Sequence, residues 1–258
     1  MLSFASLGSG SKGNGTLIRV GKTIVLLDCG FTLSETEKRL SRLGCDASSI
    51  NAILVTHEHG DHSSGVGKLS RKYNLPVWLT FGTHQACKDT KYSSTHFIDP
   101  HSSFDIDEIG VQPFPVPHDA REPCQFVFSK GKYRLGILTD VGRVTPCIIE
   151  HLDGVNGLLL ECNYDDHQLK TGPYPRMLKD RVSGNYGHLD NQQSKYILDK
   201  INTNNLQHLV GMHMSEKNNH INEVMDVLST VKHKEESNQD VDISIACQKN
   251  GFNWKIIL

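Results

Sequence analysis

The chain has 258 residues, a hydrophobic fraction of 37% and a formal net charge of −2, which are ordinary values for a globular protein with one large domain or two small ones. Neither a run of about 18 apolar residues nor a basic start followed by an apolar stretch is present, so we expect no membrane span and no secretion signal. Seven cysteines without any C-x-x-C pair lead us to expect free thiols and a cytoplasmic location.

Short apolar runs with β-branched residues predict strands in the first part of the chain. These runs end at glycine or at polar clusters, and they cover residues 2–7, 17–20, 24–27 and 53–55. A helix is predicted over residues 34–43, because apolar residues recur there at helical spacing and Gly44 is a suitable C′ residue.

The rest of the chain repeats this order of strands and helices. Strands are predicted at residues 77–79, 111–116, 125–129, 133–138, 158–161, 208–212, 243–246 and 252–257, and helices at residues 66–73, 174–182, 191–201 and 221–231. No Pro/Gly/Ser-rich or charged linker divides the chain. We therefore expect one α/β domain over residues 1–258, with two mixed sheets face to face and helices outside, a four-layer αββα sandwich.

Histidine is the one outlier of the composition, with 14 residues. The segment T-H-E-H-G-D-H at residues 56–62 directly follows a predicted strand, and three further residues of ligand type follow other predicted strands. Together these candidates are His57, His59, Asp61, His62, His118, Asp140 and His213. Imidazole and carboxylate without cysteine suit zinc, manganese or iron in a hydrolytic site rather than a closed structural zinc site. Because strand ends at one edge of a sheet assemble sites, we expect these residues to meet.

The segment at residues 56–62 resembles the T-H-x-H-x-D-H motif of the metallo-β-lactamase fold superfamily. The likeness covers nearly the whole chain, since L-L-D-C-G at residues 26–30 is similar to the segment with the family's first aspartate. The resemblance implies two divalent metal ions, one held by His57, His59 and His118, the other by Asp61, His62 and His213, with Asp140 bridging both. We expect Asp28 behind these ligands, where its carboxylate would fix the tautomer of a metal-bound histidine.

Within the superfamily the chain resembles the YycJ group, also called WalJ or VicX, which is similar to the branch with ribonuclease Z and ribonuclease J. The segments that carry this likeness are S-L-G-S-G-S-K-G-N (6–14), T-D-V-G (139–142), E-C-N-Y-D (161–165), G-H-L-D-N (187–191) and H-M-S-E-K-N-N (213–219). The resemblance implies a phosphodiesterase or DNA exonuclease whose partner is nucleic acid, with DNA favoured over RNA. The chain has Asp190 where the group usually has serine, and residues 141–187 leave no room for the extra nucleic-acid domain of the ribonuclease J type.

Two metal ions about 3.5–4 Å apart lower the pKa of a bridging water toward 7, which would supply hydroxide for attack on phosphorus. Asp61 and Asp140 would hold the ions, and His188 is our candidate general acid for the leaving alcohol. Contact of His188 with the scissile phosphate, or a plain role at the start of a helix, are the alternatives. Asp190 is expected to cap that helix together with Gln193.

Phosphate contacts are expected on both sides of the metal ligands. The glycine-rich residues 9–15 offer backbone N–H groups as an anion-binding nest, and a tight connection is the alternative. Residues after His213 could reach a phosphate oxygen or cap the next helix. The candidates are Ser9, Ser11, Asn14, Ser215 and Asn218. Basic residues that would attract the nucleic-acid backbone, or simply face solvent, are Lys170, Arg176, Lys179 and Arg181.

Two other functions fit the same residues. A carbonyl hydrolase, such as a thioesterase, a lactonase or a glyoxalase-type enzyme, would use the same metals to polarise a carbonyl oxygen. A regulatory module that keeps the metals for stability is the alternative outside enzymes, although a structural site would favour a closed tetrahedron. The ligand set accepts zinc, manganese or iron, and the sequence leaves the oligomeric state open.

Overall fold

The computed structural model describes residues 1–231 and 240–258, and their strands form two mixed sheets of seven strands each. The first sheet contains β1 (Leu2–Gly8), β2 (Gly15–Val20), β3 (Thr23–Leu27), β4 (Ala52–Leu54), β5 (Pro76–Leu79), β6 (Ser94–Phe97) and β14 (Phe252–Ile257). The second contains β7 (Phe104–Ile106), β8 (Ile109–Pro115), β9 (Cys124–Lys130), β10 (Tyr133–Leu138), β11 (Gly157–Glu161), β12 (His208–Met212) and β13 (Asp242–Ile245).

The helices of the described residues connect these strands. They are α1 (Leu33–Arg42), α2 (Gly60–Ser63), α3 (Val66–Tyr73), α4 (Phe81–Ala86), α5 (Pro146–Leu152), α6 (Asp166–Thr171), α7 (Arg176–Val182), α8 (Asn191–Lys200) and α9 (Ile221–Leu228), with a 3₁₀ turn at Ala47–Ser49. In the part of the chain that the structure describes, no helix combines the length and the apolar character needed to cross a membrane.

Each sheet has an antiparallel part and a parallel part. In the first sheet the strand order is β14-β1-β2-β3-β4-β5-β6, and β3 to β6 are parallel. In the second the order is β13-β12-β11-β10-β9-β8-β7, and β10 to β13 are parallel. The carboxyl ends of several parallel strands in each sheet therefore lie at one edge.

Three apolar cores define four layers. Between the sheets, Phe4 packs in one cluster with Phe126 and Phe128 of the opposite sheet, and all three are fully buried. Outside, α1 and α3 cover the first sheet, and α5, α8 and α9 cover the second. The predicted αββα sandwich is confirmed. We propose a single folding unit, because the inner core draws on strands from both ends of the chain.

The strands predicted from the sequence are present, with ends that differ by one or two residues. The helix predicted over residues 174–182 begins only at Arg176, because Pro175 disfavours helical backbone at Tyr174. The helix predicted over residues 221–231 ends at Leu228. Two strands, β6 and β7, and four helices, α2, α4, α5 and α6, were not predicted. These elements have three to seven residues, which is too short for a clear periodic pattern.

Candidate metal centre

Most of the predicted site residues follow the carboxyl ends of parallel strands in both sheets, and His118 follows the antiparallel strand β8. In the first sheet, Asp28 follows β3 and His57 follows β4. In the second sheet, Asp140 follows β10 and His213 follows β12. His118 comes three residues after β8. This arrangement brings residues from distant parts of the sequence to one edge of the sandwich.

Three of these residues have left-handed backbone conformations within two residues of the ends of their strands. The φ angles are 60° at Asp28, 57° at Asp140 and 51° at His213. Non-glycine residues in this region cost on the order of 1–3 kcal/mol each, so the surrounding contacts must hold them. A close approach nearby requires glycine as well: a Cβ atom at Gly30 would lie 1.7 Å from the carbonyl oxygen of Asp61.

The side chains of residues 56–62 contribute to two different groups of possible metal ligands. His57 precedes the short helix α2, His59 is its N-cap residue, and Asp61 and His62 lie within it. Two separate groups result, and in each the possible ligand atoms lie within 4.8 Å of one another. We call His57, His59 and His118 the histidine half, and Asp61, His62 and His213 the carboxylate half.

Asp140 lies between the two halves. It groups with His57 and His62, and its Oδ2 is 3.0 Å from His62 Nε2. It also groups with His213, whose Nδ1 lies 3.6 Å from Asp140 Oδ1. The structure thus gathers all seven predicted ligands around one centre, while their roles as ligands remain predictions.

Four of the five histidines have one ring nitrogen hydrogen-bonded to an oxygen and the other directed to the centre. These oxygens are Thr56 Oγ1 for His57 (2.9 Å), the Asp119 carbonyl for His59 (3.2 Å), Asp28 Oδ2 for His62 (2.8 Å) and the Gly187 carbonyl for His118 (3.0 Å). His213 Nδ1 lies 3.1 Å from the Asn163 amide nitrogen and 3.3 Å from Glu161 Oε1. Such anchoring fixes the tautomer and leaves a lone pair on the second nitrogen, as in metal-binding histidines.

Asp28 fixes the tautomers of two histidines at once. It accepts a hydrogen bond from His62 Nδ1 directly and one from the Thr56 hydroxyl at 2.9 Å. Because the Thr56 hydroxyl donates to Asp28, its oxygen must accept from His57 Nδ1. In the neutral rings, the lone pairs of His57 and His62 are therefore on Nε2. The position predicted for Asp28 is the one it occupies, and the relay through Thr56 is an addition.

Three buried polar atoms at the centre have no hydrogen-bond partner within residues 1–231 and 240–258. They are His57 Nε2, His213 Nε2 and Asp140 Oδ2, whose 3.0 Å contact with His62 Nε2 lacks the geometry of a hydrogen bond. A buried polar atom without a partner costs about 1–3 kcal/mol, so several together at one point indicate a missing ligand. Imidazole nitrogens and carboxylate oxygens are donors for zinc, manganese and iron. The residues present therefore fit a divalent metal centre.

The carboxylate half holds strong opposing charges. Burial alone would lower the pKa of His62, but Asp140, Asp28 and Asp61 raise it well above its usual range. His213 is also fully buried, yet Asp140, Asp61 and Glu161 raise its pKa to about 10. Conversely, burial would raise the pKa of Asp61, and its interactions with His62 and His213 hold it well below its usual range.

The histidine half behaves in the opposite way. Burial lowers the pKa of His57 well below its usual range, and the neighbouring His62 lowers it further. Burial also lowers the pKa of His118. These two imidazoles are therefore neutral near pH 7, which is the form that binds a metal.

Glu161 is a site residue to which sequence reasoning gave no role. Its side chain is fully buried at the end of β11, and Oε1 lies 2.9 Å from His188 Nδ1. Its Oε2 accepts hydrogen bonds from the backbone N–H groups of Val141 and Leu189. Burial opposes the charge of Glu161, but His188 and His213 lower its pKa. The sequence feature that could have indicated this role is the glutamate at the end of an apolar strand.

His188 lies beside Asp140 rather than at a remote helix start. Its Nδ1 is 3.5 Å from Asp140 Oδ1, and the ring lines the same cleft as His59 and Asp61. The next element begins with the predicted capping box, since Asp190 accepts from Gln193 N and the Gln193 side chain accepts from Asp190 N. The prediction that Asp190 caps α8 is confirmed.

Three predicted phosphate contacts have other roles. The Ser9 hydroxyl is buried and accepts a hydrogen bond from His213 N at 2.8 Å. The Asn14 amide lies 3.0 Å from His62 Nε2 and donates to Asp61 Oδ2 at 3.3 Å. Asn218 is 1% exposed, and its amide donates to Ser215 Oγ. These side chains support the metal centre or the loop after it, and their contact with phosphate stays a prediction.

The glycine-rich loop does not form the predicted anion-binding nest. Its backbone N–H groups donate within the protein, and this holds for Ser9, Gly10, Lys12, Gly13 and Asn14. Ser11 and Ser215, in contrast, both line the cleft over the centre, and their contact with phosphate stays a prediction.

A cleft of about 280 Å³ opens over the centre. One side is formed by residues of both halves together with Asp140 and His188, and the opposite wall comes from α7 and the residue before Pro175. The wall residues are Tyr174, Leu178, Arg181 and Val182. The cleft therefore combines a polar floor with a wall that carries one basic side chain.

Comparisons with known proteins agree with this geometry. A family model described as Beta-lactamase superfamily domain matches residues 23–214. Exodeoxyribonuclease WalJ of Streptococcus pneumoniae serotype 2 (strain D39 / NCTC 7466) is 31% identical over 222 residues, which are 84% of this chain and 82% of the relative. Exodeoxyribonuclease YycJ of Bacillus anthracis is 31% identical over 224 residues, 84% of each chain. The crystal structure of the metallo-β-lactamase fold protein YhfI from Bacillus subtilis has a TM-score of 0.75 at 15% identity and covers 99% of this chain and 100% of its own.

The two packed sheets and the cluster of histidines and aspartates at their edge define a metal-dependent hydrolase of the metallo-β-lactamase fold. The likeness to the two exodeoxyribonucleases places it more narrowly. The chain belongs to the metallo-β-lactamase superfamily and, within it, to the YycJ/WalJ group.

Proposed function

We propose that the protein hydrolyses phosphodiester bonds in nucleic acid, with DNA favoured over RNA, and that it releases nucleotides from strand ends. The observation that carries this proposal is the group of unpartnered buried atoms on His57, His213 and Asp140, which two divalent cations would satisfy. The names of the relatives, both exodeoxyribonucleases, support DNA and an exonuclease. Because nucleic acid of the cell is the proposed substrate, we retain the prediction of a cytoplasmic location.

The two halves of the site are proposed to hold one metal ion each. The histidine half would hold one metal ion, the carboxylate half the other, and Asp140 would contact both. When bound, such ions supply water activated near neutral pH and neutralise charge on phosphoryl oxygens. Zinc, manganese and iron suit these ligands.

His188 is proposed to act on the leaving group. Glu161 accepts from His188 Nδ1 at 2.9 Å, so the ring is oriented with Nε2 available on the cleft side. The hydrogen bond to Glu161 leaves Nε2 as the ring atom from which a proton would be donated. Proton transfer from Nε2 to the departing alcohol oxygen would then complete the cleavage of the P–O bond.

A substrate panel tests the function. Protein loaded with zinc or manganese is incubated with bis(p-nitrophenyl) phosphate, with linear and circular single-stranded DNA, with duplex DNA, with RNA and with a thioester. We expect hydrolysis of the phosphodiester, mononucleotides from linear DNA and survival of circular DNA. Hydrolysis of the thioester alone would favour a carbonyl hydrolase instead. No activity on any substrate, with metal bound, would favour the regulatory module.

His188→Ala tests the role in leaving-group protonation. General acid catalysis contributes about 10²–10⁴-fold, and a p-nitrophenolate leaving group needs little protonation. We therefore expect a large loss of kcat on DNA and a much smaller loss on bis(p-nitrophenyl) phosphate. Equal losses on both substrates would contradict proton donation and favour contact with the scissile phosphate.

A further inference from the structure

The four basic residues that were predicted to attract nucleic acid have different surroundings. Lys170 and Arg176 each form an ion pair with an acidic residue one helical turn away. Lys179 donates from Nζ to the backbone carbonyl of Lys170 at 2.6 Å. Arg181 is the member of this set that lines the cleft over the metal centre. Arg181 is therefore the residue of this set that is placed for a specific contact with substrate. The other three residues are placed only for general electrostatic attraction.

Arg181 reaches across the cleft from α7 to the loop after β8. Its Nε donates to Asp119 Oδ2 at 2.6 Å, and this bond orients the planar guanidinium. Within residues 1–231 and 240–258, neither Nη1 nor Nη2 of Arg181 makes a hydrogen bond to the protein. Four of the five N–H donors of the side chain are therefore available, and the side chain is 60% exposed.

The neighbours of Arg181 suit an anion held at the wall of the cleft. Leu178 and Val182 line the same wall and leave Arg181 as its one basic group. The two Nη groups present parallel donors, which match two oxygens of a phosphate. An isolated surface lysine would offer neither the fixed orientation nor the paired donors.

The position of Asp119 sets how far Arg181 lies from the metal centre. Asp119 Oδ2 accepts from Arg181, and Asp119 Oδ1 is 3.4 Å from His118 Nε2. One whole carboxylate group thus separates the guanidinium from the histidine half. The Nη groups, which Asp119 does not engage, are therefore available to a phosphate other than the one at the centre.

We propose, on the basis of the phosphodiesterase function above, that Arg181 binds a phosphate that flanks the scissile one. The substrate class follows from this contact: the enzyme would prefer a strand with consecutive phosphodiesters over a compound with a single phosphodiester. Arg181 is then a specificity-determining residue that acts on binding and does not touch the reacting bond.

The test compares two substrates and two variants of the metal-loaded enzyme. A single-stranded DNA oligonucleotide has flanking phosphates, and bis(p-nitrophenyl) phosphate has none. For Arg181→Ala we expect kcat/KM on the oligonucleotide to fall by at least about tenfold, mainly through KM, which is the usual effect of losing a charged hydrogen bond. Activity on bis(p-nitrophenyl) phosphate should stay within about twofold, since no charged contact is lost there.

Arg176→Ala is the matched control. It removes the same charge from the same helix, but its side chain is 95% exposed and does not line the cleft. We expect this variant to keep kcat/KM on both substrates. The dependence of KM on salt should weaken in Arg181→Ala by about the contribution of one phosphate contact, a slope of roughly 0.7 on single strands, and should be unchanged in Arg176→Ala.

Three results would overturn the proposal. Equal losses on both substrates would mean that Arg181 holds Asp119 in place or contacts the scissile phosphate. Equal losses of kcat/KM on the oligonucleotide in Arg181→Ala and Arg176→Ala would mean that Arg181 contributes only general electrostatic attraction. Full activity of Arg181→Gln on the oligonucleotide would exclude a charged contact. Failure of the wild-type protein on every phosphodiester is a separate outcome, since it would contradict the proposed function itself.

Discussion

The two halves of the candidate metal centre share Asp140 but differ in charge. The histidine half consists of imidazoles, and burial lowers the pKa of His57 and His118. The carboxylate half surrounds His62 and His213 with acidic groups that raise their pKa. One half is therefore ready to accept a cation near pH 7, whereas the other must first lose protons.

The same difference predicts unequal strength of binding. Once deprotonated, the carboxylate half offers a cation more negative charge, with Asp61 in the group and Asp28 and Glu161 behind the rings. The histidine half has neutral ligands and relies on Asp140 for negative charge. We expect the carboxylate half to retain its ion longer at neutral or alkaline pH. The experiments below test this contrast, beginning with the residue common to both halves.

Asp140→Asn should have the largest effect, because it weakens both halves together. Substitution of a residue that only supports a metal ligand lowers metal affinity or activity by about 10–100-fold. Because Asp140 is itself a proposed ligand, we expect hydrolysis of bis(p-nitrophenyl) phosphate to fall by more than about 100-fold and the metal content to decrease. Asp105→Asn, an exposed site on β7, is the control and should keep full activity. Normal activity of Asp140→Asn would show that Asp140 is not a metal ligand shared by the two halves.

His118→Ala and His213→Ala separate the halves. Each should lose one of the two proposed ions, but the ion that remains should differ in retention. In His118→Ala it occupies the carboxylate half and should survive dialysis against a weak chelator. In His213→Ala it occupies the histidine half and should be lost first. Metal analysis after dialysis measures this order, and the reverse order would refute the charge argument.

Asp28→Asn and Thr56→Val test the shared hydrogen-bond relay. Asp28 bonds His62 directly and His57 through Thr56, so its loss should lower metal affinity of both halves by about 10–100-fold. Thr56→Val should weaken chiefly the histidine half, because it leaves the bond between Asp28 and His62 intact. Titration calorimetry can resolve the two steps. Identical profiles for both variants would argue against the relay.

The two halves should also differ in how their metal affinity depends on pH. This effect should be smaller than those of the substitutions above. Because the pKa of His213 is raised to about 10, the metal-free protein carries this proton at pH 7 to 8, and binding must expel it. Affinity of the carboxylate half should rise with pH, by up to about tenfold per pH unit per proton, and level off near pH 10. The histidine half should show little change above about pH 6.5.

Calorimetry in buffers of different ionisation enthalpy counts the released protons. We expect fewer protons from His213→Ala than from the wild type, and an unchanged count from His118→Ala. Equal proton release from both variants would show that the two halves do not differ in this way.

Sequence reasoning found what local patterns encode. Apolar runs marked the strands, and ligand-type residues such as His57, Asp140 and His213 come within three residues of strand ends. Their meeting at one edge therefore follows from the topology of parallel strands. The division into two halves came from the family resemblance, and the same two groups occur in the structure.

What sequence reasoning missed depends on distant partners. Glu161 meets His188 across 27 residues, and Ser9 meets His213 across 204 residues. A serine or an asparagine in a polar loop has no local pattern that separates a phosphate contact from a support for the metal centre. The same holds for Arg181 and Arg176, since both are basic residues of one short helix and only the folded chain shows that Arg181 lines the cleft.

The most direct test is a crystal of metal-loaded protein with anomalous scattering data collected at the metal edge. The account predicts two peaks, one in contact with His57 Nε2, His59 Nδ1 and His118 Nε2, the other in contact with Asp61, His62 Nε2 and His213 Nε2, and Asp140 between them. A single peak, or a peak bound away from these side chains, would contradict the central claim.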